Sequence, residues 1–484
     1  MTIISRALPA LAAAVIAAPL MAQTPKEPDT RTTPAPNETE QLNTPDAPVA
    51  TDYPAAQWVP ASPRNFQMAD RPASSPVEYV VIHDIEGSAG SCLAWFQNPQ
   101  ARASSHYVVD SWDGKVYQMV QEKDVAWHAG NSDINRRSVG IEHEGYAYRP
   151  GFFNPREYET AARLVRDITT RWNIPRDREH IIGHFEVPNP RDPSKRGGGS
   201  GHTDPGPYWD WDAFMTMVRN DARLVSSNIP TVIHPGELKE ATVVYTNTGD
   251  DLWTANSTGR EDANVAEKGG IYLGTWDPQG RRSPFFNYKF WTSPTMASSL
   301  VNGDTAPGAQ GTFTFSLLGP RKLGTHTETF RVTRVLPAPH QPTAFGDTLT
   351  ATVQVQPYDI RVSAGDMESP SKEWNRKGNL FWRKTWNGEA FTWKTDLPVD
   401  GLYDVYARWT SGKNHTSKAM YQVVASDGAF IIAVDQRHGD KWVKLGRFRF
   451  DDPKNVIVRL SAQGRPGAVV ADAIRFVGPY ETQQ

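Results

Sequence analysis

Three polar residues from separate segments of the chain could together bind a metal ion. His83 directly follows Val80–Ile82, an apolar run typical of a buried strand. His184 follows the apolar pair Ile181–Ile182 in a similar way, and Asp204 lies further along in the motif HTDPGP. Two imidazoles and a carboxylate suit one zinc ion with an open coordination position. Either histidine alone could equally be a core or surface residue, so the zinc prediction depends on all three residues together.

Histidine is unevenly distributed, which favours a metal or catalytic site in one part of the chain. Seven of the 12 histidines lie between residues 83 and 202. They do not form the HExxH motif of helical zinc sites, because Glu144 and Gly145 follow His143. The single cysteine, Cys92, can form no disulfide within the chain, and the apolar segment around it predicts a core position.

Alternating strands and helices surround the candidate ligands over residues 65–225. The predicted strands are Val77–Ile82, His106–Asp110, Lys115–Val120, Val139–Glu144 and Ile181–Ile182. Asn154 and Pro155 are suited to the start of one amphipathic helix, and a second is predicted at Asp210–Arg223. These elements predict one α/β domain, with a mixed central sheet flanked by helices.

The remainder of the chain has the pattern of all-β structure. Short alternating segments such as Ala241–Tyr245 and Thr312–Leu317 are separated by Gly, Pro and Asn turns. This pattern predicts one β-sandwich over residues 226–357 and a second over residues 358–484. A chain of 484 residues is long enough for roughly three domains.

The amino-terminal segment predicts export. Met1–Ala22 has one positive charge, a mostly apolar run and small residues near its end, as in a secretory signal peptide. Residues 23–64 are rich in Pro, Thr, Glu, Asp and Asn, which predicts a disordered linker. No other segment approaches the ~20 apolar residues of a transmembrane helix. We therefore expect a secreted bacterial protein, extracellular or at the cell surface, with the periplasm as an alternative.

Composition limits the classes of partner. A net charge of -3 argues against nucleic acid and against a polybasic membrane anchor. Aromatic residues make up 11% of the chain, including 16 tryptophans. Such a content is typical of carbohydrate-binding surfaces, although tryptophan also fills the cores of β-sandwiches.

Five motifs in the predicted α/β domain resemble those of a known enzyme family. They are VVIHDIEG at 80–87, WHAG at 127–130, SVGIEHEG at 138–145, GHFEVP at 183–188 and HTDPGPYWDW at 202–211. In this order they look like the zinc-dependent N-acetylmuramoyl-L-alanine amidases. This amidase-2 family is shared with peptidoglycan-recognition proteins and phage lysozyme-type amidases. The resemblance covers the whole predicted α/β domain.

The resemblance implies that His83, His184 and Asp204 hold the zinc ion and that Glu142 is the catalytic carboxylate. This role for Glu142 is chemically reasonable, because a carboxylate beside the metal can take a proton from the attacking water and return it to the leaving amine. Glu144 would share the face of Glu142 by strand alternation, but the family pattern favours Glu142.

Two further histidines acquire roles from the resemblance. His202 occupies a position where family members often carry lysine or another polar group that is thought to stabilise the oxyanion. Histidine can donate a hydrogen bond there, although it departs from the common residue. His128, in the WHAG motif, would line the peptide-facing wall of the substrate groove; packing beside Trp127 is the alternative.

The two β domains also carry resemblances. Residues 226–357 are similar to bacterial Ig-like modules that accompany secreted hydrolases. The last domain resembles golvesin or xanthan-lyase-type carbohydrate-binding modules, most specifically in the segment ADAIRF, which implies a glycan as a second partner. Its tryptophans would either fill the sandwich core or stack on sugar rings. Those considered are Trp374, Trp382, Trp386 and Trp393.

The resemblance implies cleavage of the amide bond between N-acetylmuramic acid and L-alanine in peptidoglycan or muropeptides. Two other functions stay open: a peptidoglycan-recognition protein without catalysis, and a zinc peptidase that acts on wall peptides. A pure binding protein has no chemical need for a zinc ion with an open position. The new amino terminus among the products would separate the peptidase from the amidase.

Overall fold

The computed structural model describes residues 50–255, 269–384, 389–461 and 466–481. The predicted signal peptide, residues 1–22, and the predicted linker up to residue 49 lie outside the described residues. Separate hydrophobic cores define an α/β domain (50–221), a middle domain (222–357) and a carboxyl-terminal domain (358–481). This order confirms the prediction of one α/β domain followed by two β domains.

Six strands of the described α/β domain form one mixed sheet, as predicted. The strands of the domain are β1 (Ala56–Trp58), β2 (Phe66–Gln67), β3 (Tyr79–Asp84), β4 (Tyr107–Val109), β5 (Val116–Gln118), β6 (Val125–Ala126), β7 (Ser138–His143) and β8 (Ile181–Gly183). The helices are α1 (Ala89–Gln97), α2 (Ser132–Arg137), α3 (Pro155–Trp172) and α4 (Trp211–Arg219). The sheet order is β1-β5-β4-β7-β3-β8, with β3 parallel to β7 and β8, and β4 antiparallel to β5. Cys92 of α1 is buried, as predicted.

Strand alternation gives this sheet two different faces. Val80 and Ile82 of β3 pack in the main core with α3 and α4, whereas Val81 belongs to a smaller cluster on the opposite face. Helix α3 begins where predicted because the Asn154 side chain accepts hydrogen bonds from the backbone of the first turn. His83, two residues after Val81, therefore lies on the face away from α3.

The chain enters the α/β domain earlier than predicted. Residues 50–64, assigned to the linker, contain β1, which pairs in parallel with β5. Tyr53 and Ala56 pack on the main core, and the Asp52 side chain accepts a hydrogen bond from the backbone N–H of Glu122 at 2.8 Å. These contacts offset the entropy cost of ordering a polar segment. The prediction of disorder was wrong for these residues.

Two element boundaries that matter for the site also differ from the prediction. Strand β3 continues through His83 to Asp84, so the predicted ligand lies within the strand. Helix α4 ends at Arg219, before the predicted end at Arg223. It ends there because the chain from Ala222 enters β9 (Ala222–Ser227), a strand of the middle domain.

The middle domain is a β-sandwich, as predicted. Its other described strands are β10 (Val232–Ile233), β11 (Leu238–Asn247), β12 (Ile271–Thr275), β13 (Met296–Ser299), β14 (Gln310–Leu318), β15 (Gly324–Arg334) and β16 (Thr343–Val355). The two sheets have the orders β10-β16-β15-β12-β13 and β14-β11-β9. Fully buried aromatic side chains, among them Trp253, Trp291 and Phe313, fill its core.

The carboxyl-terminal domain is also built from strands around one core. They are β17 (Tyr358–Ser363), β18 (Asn375–Lys377), β19 (Leu380–Arg383), β20 (Phe391–Thr395), β21 (Gly401–Arg408), β22 (Ala419–Ala425), β23 (Gly428–Val434), β24 (Val443–Phe450), β25 (Val456–Ser461), β26 (Val469–Ala471) and β27 (Ala473–Tyr480). Its sheets have the orders β17-β27-β21-β24, β20-β25-β22-β23 and β18-β19-β26. Trp374 and Trp393 are buried in the core, Trp382 is partly buried, and Trp386 lies outside the described residues.

Candidate metal centre

The parallel pairing of β3 with β7 and β8 brings chemically active residues to one edge of the sheet. His83 of β3 is opposite Glu142 of β7 in the register, so both side chains emerge on the same face. Strand β8 ends one residue before His184, which begins a 3₁₀ turn at the same edge. Asp204 arrives on a later loop, where its backbone carbonyl accepts a hydrogen bond from the N–H of Phe185 at 3.1 Å.

His83, His184 and Asp204 converge on one point. Nδ1 of His83 lies 3.1 Å from Nδ1 of His184 and 3.0 Å from Oδ2 of Asp204. Oδ1 of Asp204 lies 3.2 Å from Nδ1 of His184. Two ligand atoms of a tetrahedral zinc ion at ~2.0 Å are roughly 3.3 Å apart. Within the described residues, these three side chains are the group that could hold a metal ion.

Burial and neighbouring side chains set the charges of His83 and Asp204. Burial is the main reason that the pKa of His83 is lowered to about 4, so the ring is neutral near pH 7 and has a nitrogen lone pair for a metal. Burial alone would raise the pKa of Asp204, but the imidazoles of His184, His202 and His83 outweigh it and hold this pKa well below its ordinary value. A neutral His83 ring, a second imidazole and one carboxylate fit zinc.

Glu142 lies beside this donor set with the properties of a proton-transfer group. It is partly buried, and burial together with the negative charges of Asp204 and Asp84 raises its pKa well above the ordinary value. A carboxylate with a raised pKa is a stronger base than an ordinary glutamate and is suited to accept a proton.

Glu144 does not share the face of Glu142, contrary to the alternation considered from the sequence. Strand β7 ends at His143, so its period of two does not extend to the next residue. The Oε2 atom of Glu144 accepts a hydrogen bond from the backbone N–H of Ser111 at 3.1 Å. Glu144 therefore acts as a loop-binding carboxylate in this fold.

His202 lies at the solvent-facing side of the donor set. Its ring stacks on the ring of His184, with centroids 4.4 Å apart and planes at 12°. Its Nδ1 lies 3.5 Å from Oδ1 of Asp204, and its side chain is 51% exposed. Gly197 helps to hold this loop, because its carbonyl oxygen accepts a hydrogen bond from the backbone N–H of His202 at 2.8 Å. An imidazole in this position is accessible to a substrate.

His128 lies behind the donor set, which corrects the expectation that it lines the substrate groove. Its Nδ1 is 3.0 Å from Nε2 of His83, and its Nε2 is 3.1 Å from Oγ of Ser138. The residue is buried, and both ring nitrogens already have protein partners. The WHAG motif alone did not reveal on which side of His83 this ring would pack.

Two exposed aromatic side chains next to the donor set were not singled out from the sequence. Phe185 directly follows His184, and Tyr208 follows Asp204 after a short turn; they are 36% and 47% exposed. Exposed aromatic rings beside a polar site are suited to contact a sugar or a peptide. Both residues could have been found from the sequence, because each lies close along the chain to a predicted metal ligand.

Comparison with known proteins identifies the α/β domain. The sequence profile of the N-acetylmuramoyl-L-alanine amidase family matches residues 73–207, which include all six predicted site residues. N-acetylmuramoyl-L-alanine amidase A of Achromobacter lyticus is 33% identical over 185 residues, which are 35% of this chain and 96% of that protein. The chain belongs to the N-acetylmuramoyl-L-alanine amidase family. The amidase AmiD of Escherichia coli is 29% identical over 155 residues, 28% of this chain and 51% of AmiD.

The carboxyl-terminal domain has a separate set of relatives. The profile of the Golvesin C-terminal domain matches residues 367–478. A xanthan lyase of Bacillus sp. strain GL1 is 36% identical over 93 residues, which are 18% of this chain and 10% of the lyase. This amidase thus joins its enzyme domain to a domain that resembles part of a polysaccharide lyase. In the part of the chain that the structure describes, no helix has the length and apolarity needed to cross a membrane.

Proposed function

We propose that the protein is a zinc-dependent hydrolase of the amide bond between N-acetylmuramic acid and L-alanine in peptidoglycan. The observation that carries this proposal is the convergence of His83, His184 and Asp204, with ligand atoms 3.0 to 3.2 Å apart. Glu142 lies in register with His83 at the same edge. A donor set of three with an adjacent carboxylate is the arrangement that metal-assisted hydrolysis requires.

Each residue has a separate part in the proposed reaction. When bound, zinc would supply Lewis acidity toward the scissile carbonyl and the attacking water. Glu142 takes a proton from the water and returns it to the nitrogen of the departing L-alanine, which its raised pKa favours. His202, exposed beside His184, donates a hydrogen bond to the oxygen on which negative charge develops.

The outer face of the sheet β17-β27-β21-β24 supports a second role, the binding of an anionic glycan. Tyr406 alternates with buried residues of β21 and so faces outward. Arg475 lies 5.6 Å from the Tyr406 ring, and Arg408 lies 5.3 Å from the Trp442 ring. Aromatic rings offer stacking surfaces for sugars. The two guanidinium groups pair with Asp359 and Asp472, and their further N–H groups can donate to the carboxylates of an acidic glycan. This face would hold the enzyme on cell-wall or other acidic polysaccharide.

We place the site of action outside the cytoplasm, either extracellular, at the cell surface or in the periplasm. The substrate is the cell wall, and Met1–Ala22 has the sequence pattern of an export signal.

The catalytic proposal is tested by digestion of purified peptidoglycan with the wild type and with Glu142→Gln and Glu144→Gln variants. We expect the wild type to contain about one zinc ion and to release stem peptides with an L-alanine amino terminus. Glu142→Gln should keep the metal and lose activity, because an amide cannot accept the proton. Glu144→Gln, which can still accept the Ser111 hydrogen bond, should remain active.

Other products would favour the other functions. New amino termini inside the stem peptide would indicate a peptidase. Retention on peptidoglycan without any released product would indicate a recognition protein. The glycan-binding face is tested by Trp442→Ala, which should weaken retention on insoluble wall but leave cleavage of soluble muropeptides unchanged; equal retention of both proteins would exclude this face.

A further inference from the structure

A line of hydrogen-bonding groups runs from helix α2 to the back of a proposed metal ligand. The Oγ of Ser138 lies 2.6 Å from the carbonyl oxygen of Ile134 and 3.1 Å from Nε2 of His128. Nδ1 of His128 lies 3.0 Å from Nε2 of His83. Ser138 is fully buried, His83 and His128 are 2% and 9% exposed, and water therefore does not compete for these groups.

The direction of each hydrogen bond in this line follows from its first member. The carbonyl of Ile134 can only accept, so the short contact requires the Ser138 hydroxyl to donate to it. The Ser138 oxygen must then accept the proton on Nε2 of His128. His128 is buried, and its ring nitrogens contact a hydroxyl and another imidazole rather than a carboxylate, so this position does not stabilise a cationic ring. A neutral imidazole carries one N–H. Nδ1 of His128 is therefore an acceptor.

The direction of the hydrogen bond between His128 and His83 follows in the same way. Because Nδ1 of His128 accepts, Nε2 of His83 must be the donor, and Nδ1 of a neutral His83 carries a lone pair. This lone pair faces Oδ2 of Asp204 at 3.0 Å, an arrangement that a cation between the two atoms would stabilise. We propose that Ser138 and His128 are positioning residues that set the tautomer of His83 and aim its Nδ1 lone pair at the metal position. The tautomer assignment stands on these contacts alone, whereas its consequence for zinc rests on the proposed function.

Strand β7 leaves space for the His128 ring because its residue at that point is Gly140. A Cβ atom at Gly140 would lie 2.5 Å from Cγ of His128, so the ring packs directly on the glycine backbone of β7. The Oδ1 atom of Asn135 accepts the backbone N–H of both His128 and Ala129, which holds the turn that carries the ring. Ser138 follows the end of α2 and bonds back to Ile134 in its last turn.

The second histidine of the donor set is held differently. Nε2 of His184 is buried without a hydrogen-bond partner among the described residues. Its ring is instead stacked against His202. A partner on the distal nitrogen of a metal-binding histidine typically changes metal affinity 10- to 100-fold. In this protein the partner on a distal nitrogen is found at His83, where His128 contacts Nε2.

Proton positions are measured first, on metal-free protein, by ¹⁵N NMR of the histidine rings. In the wild type we expect the proton of both His83 and His128 on Nε2. Ser138→Ala removes the acceptor of His128, so a second tautomer of both rings should become populated. Ser132→Ala, an exposed serine of α2, is the matched control and should give the wild-type spectrum. A proton on Nδ1 of His83 in the wild type would overturn the assignment.

Zinc affinity is measured next by competition with a chelator. His128→Leu removes the acceptor for His83 and should weaken zinc binding roughly 10- to 100-fold. His128→Asn places an amide oxygen near the position of Nδ1 and should recover most of this loss. Equal affinity of His128→Leu and the wild type would refute the positioning role. If His128→Leu does not fold, Ser138→Ala provides the same comparison with a smaller change in volume.

These measurements separate this inference from the proposed function. A protein that binds zinc with the expected dependence on His128 but releases no stem peptide would contradict the amidase reaction alone. A wild type that binds no zinc would remove the proposed metal role of His128, and the NMR spectra would still decide the tautomer of His83.

Discussion

Glu142 and Glu157 of the α/β domain respond to their surroundings in the opposite direction from Asp359 and Asp404 of the carboxyl-terminal domain. In the α/β domain, burial and the charges of Asp204 and Asp84 raise the pKa of Glu142. Burial and the charge of Glu144 raise the pKa of Glu157 to about 9. No described group forms a hydrogen bond with either oxygen of Glu157, and the residue is fully buried.

In the carboxyl-terminal domain the carboxylates have cationic partners. Hydrogen bonds from Arg475 lower the pKa of Asp359. Burial alone would raise the pKa of Asp404, but Arg447, at 2.8 and 3.0 Å, and Lys444, at 2.8 Å, outweigh it and hold this pKa below its ordinary value. These carboxylates are ionised and form ion pairs with arginine and lysine on an outer face of the sheet.

This difference separates buried carboxyls that lie near other carboxylates from carboxyls that are paired with arginine or lysine. A carboxyl whose folded-state pKa is raised costs stability as the pH rises from its unfolded pKa toward its folded pKa. A carboxyl whose folded-state pKa is lowered contributes stability above its unfolded pKa and loses it as the pH falls. Glu157 and Asp404 should therefore contribute to the pH dependence of the free energy of unfolding with opposite sign.

The largest effect should come from removing a carboxylate from the donor set. We expect Asp204→Ala to lose bound zinc and at least ~10³-fold in wall hydrolysis, because the Lewis acid contributes several kcal/mol to the transition state. Zinc content and peptide release measure both. Asp359→Ala, which breaks an ion pair in the other domain, should retain the metal and the activity. Full zinc content in Asp204→Ala would remove this residue from the ligand set.

An intermediate effect should come from Glu157→Gln. Because the pKa of Glu157 is about 9 in the folded state, its unfolded chain releases a proton that the folded chain retains at pH 8. The neutral variant avoids this and should unfold with a free energy about 5 kcal/mol higher at pH 8. The gain should vanish near pH 4, where both states of the wild type are protonated. Urea unfolding at the two pH values measures it, and a gain independent of pH would contradict the linkage.

The convergence of His83 and His184 could be predicted from the sequence because each follows an apolar segment, whereas Asp204 lies on a loop. His83 and His184 follow strands that are recognisable from composition alone, and parallel strands place their carboxyl ends at one edge. Glu142 required the family motif, since a carboxylate near a strand end has no specific pattern of its own. Its catalytic role stays a prediction.

The position of His128 could not be predicted, because it depends on a contact between distant elements. The ring fits behind His83 only where β7 presents Gly140, and this requires the register of β3 with β7. Residues 50–64 were misjudged for a related reason. Their composition is polar, but β1 adds to a sheet edge through backbone hydrogen bonds, which composition does not report.

The smallest effect should come from the ion pairs of the carboxyl-terminal domain. Arg447→Ala leaves the buried carboxylate of Asp404 with Lys444 as its remaining cationic partner. The Arg447 side chain is 38% exposed, so solvent screening limits the loss to about 1 kcal/mol at pH 7. Because Asp404 is protonated in both states at low pH, the difference from the wild type should shrink as the pH approaches 3.

Arg437→Ala is the matched control for this ion pair. Arg437 bonds the Asp435 carboxylate from an exposed turn of the same domain, with three contacts of 3.0, 3.2 and 2.6 Å. Solvent screens that pair, so its loss should not change the unfolding transition measurably. Equal losses in Arg437→Ala and Arg447→Ala would show that burial of Asp404 does not strengthen its pairing. The proposed contrast between the two domains would then depend on Glu157 and Glu142 alone.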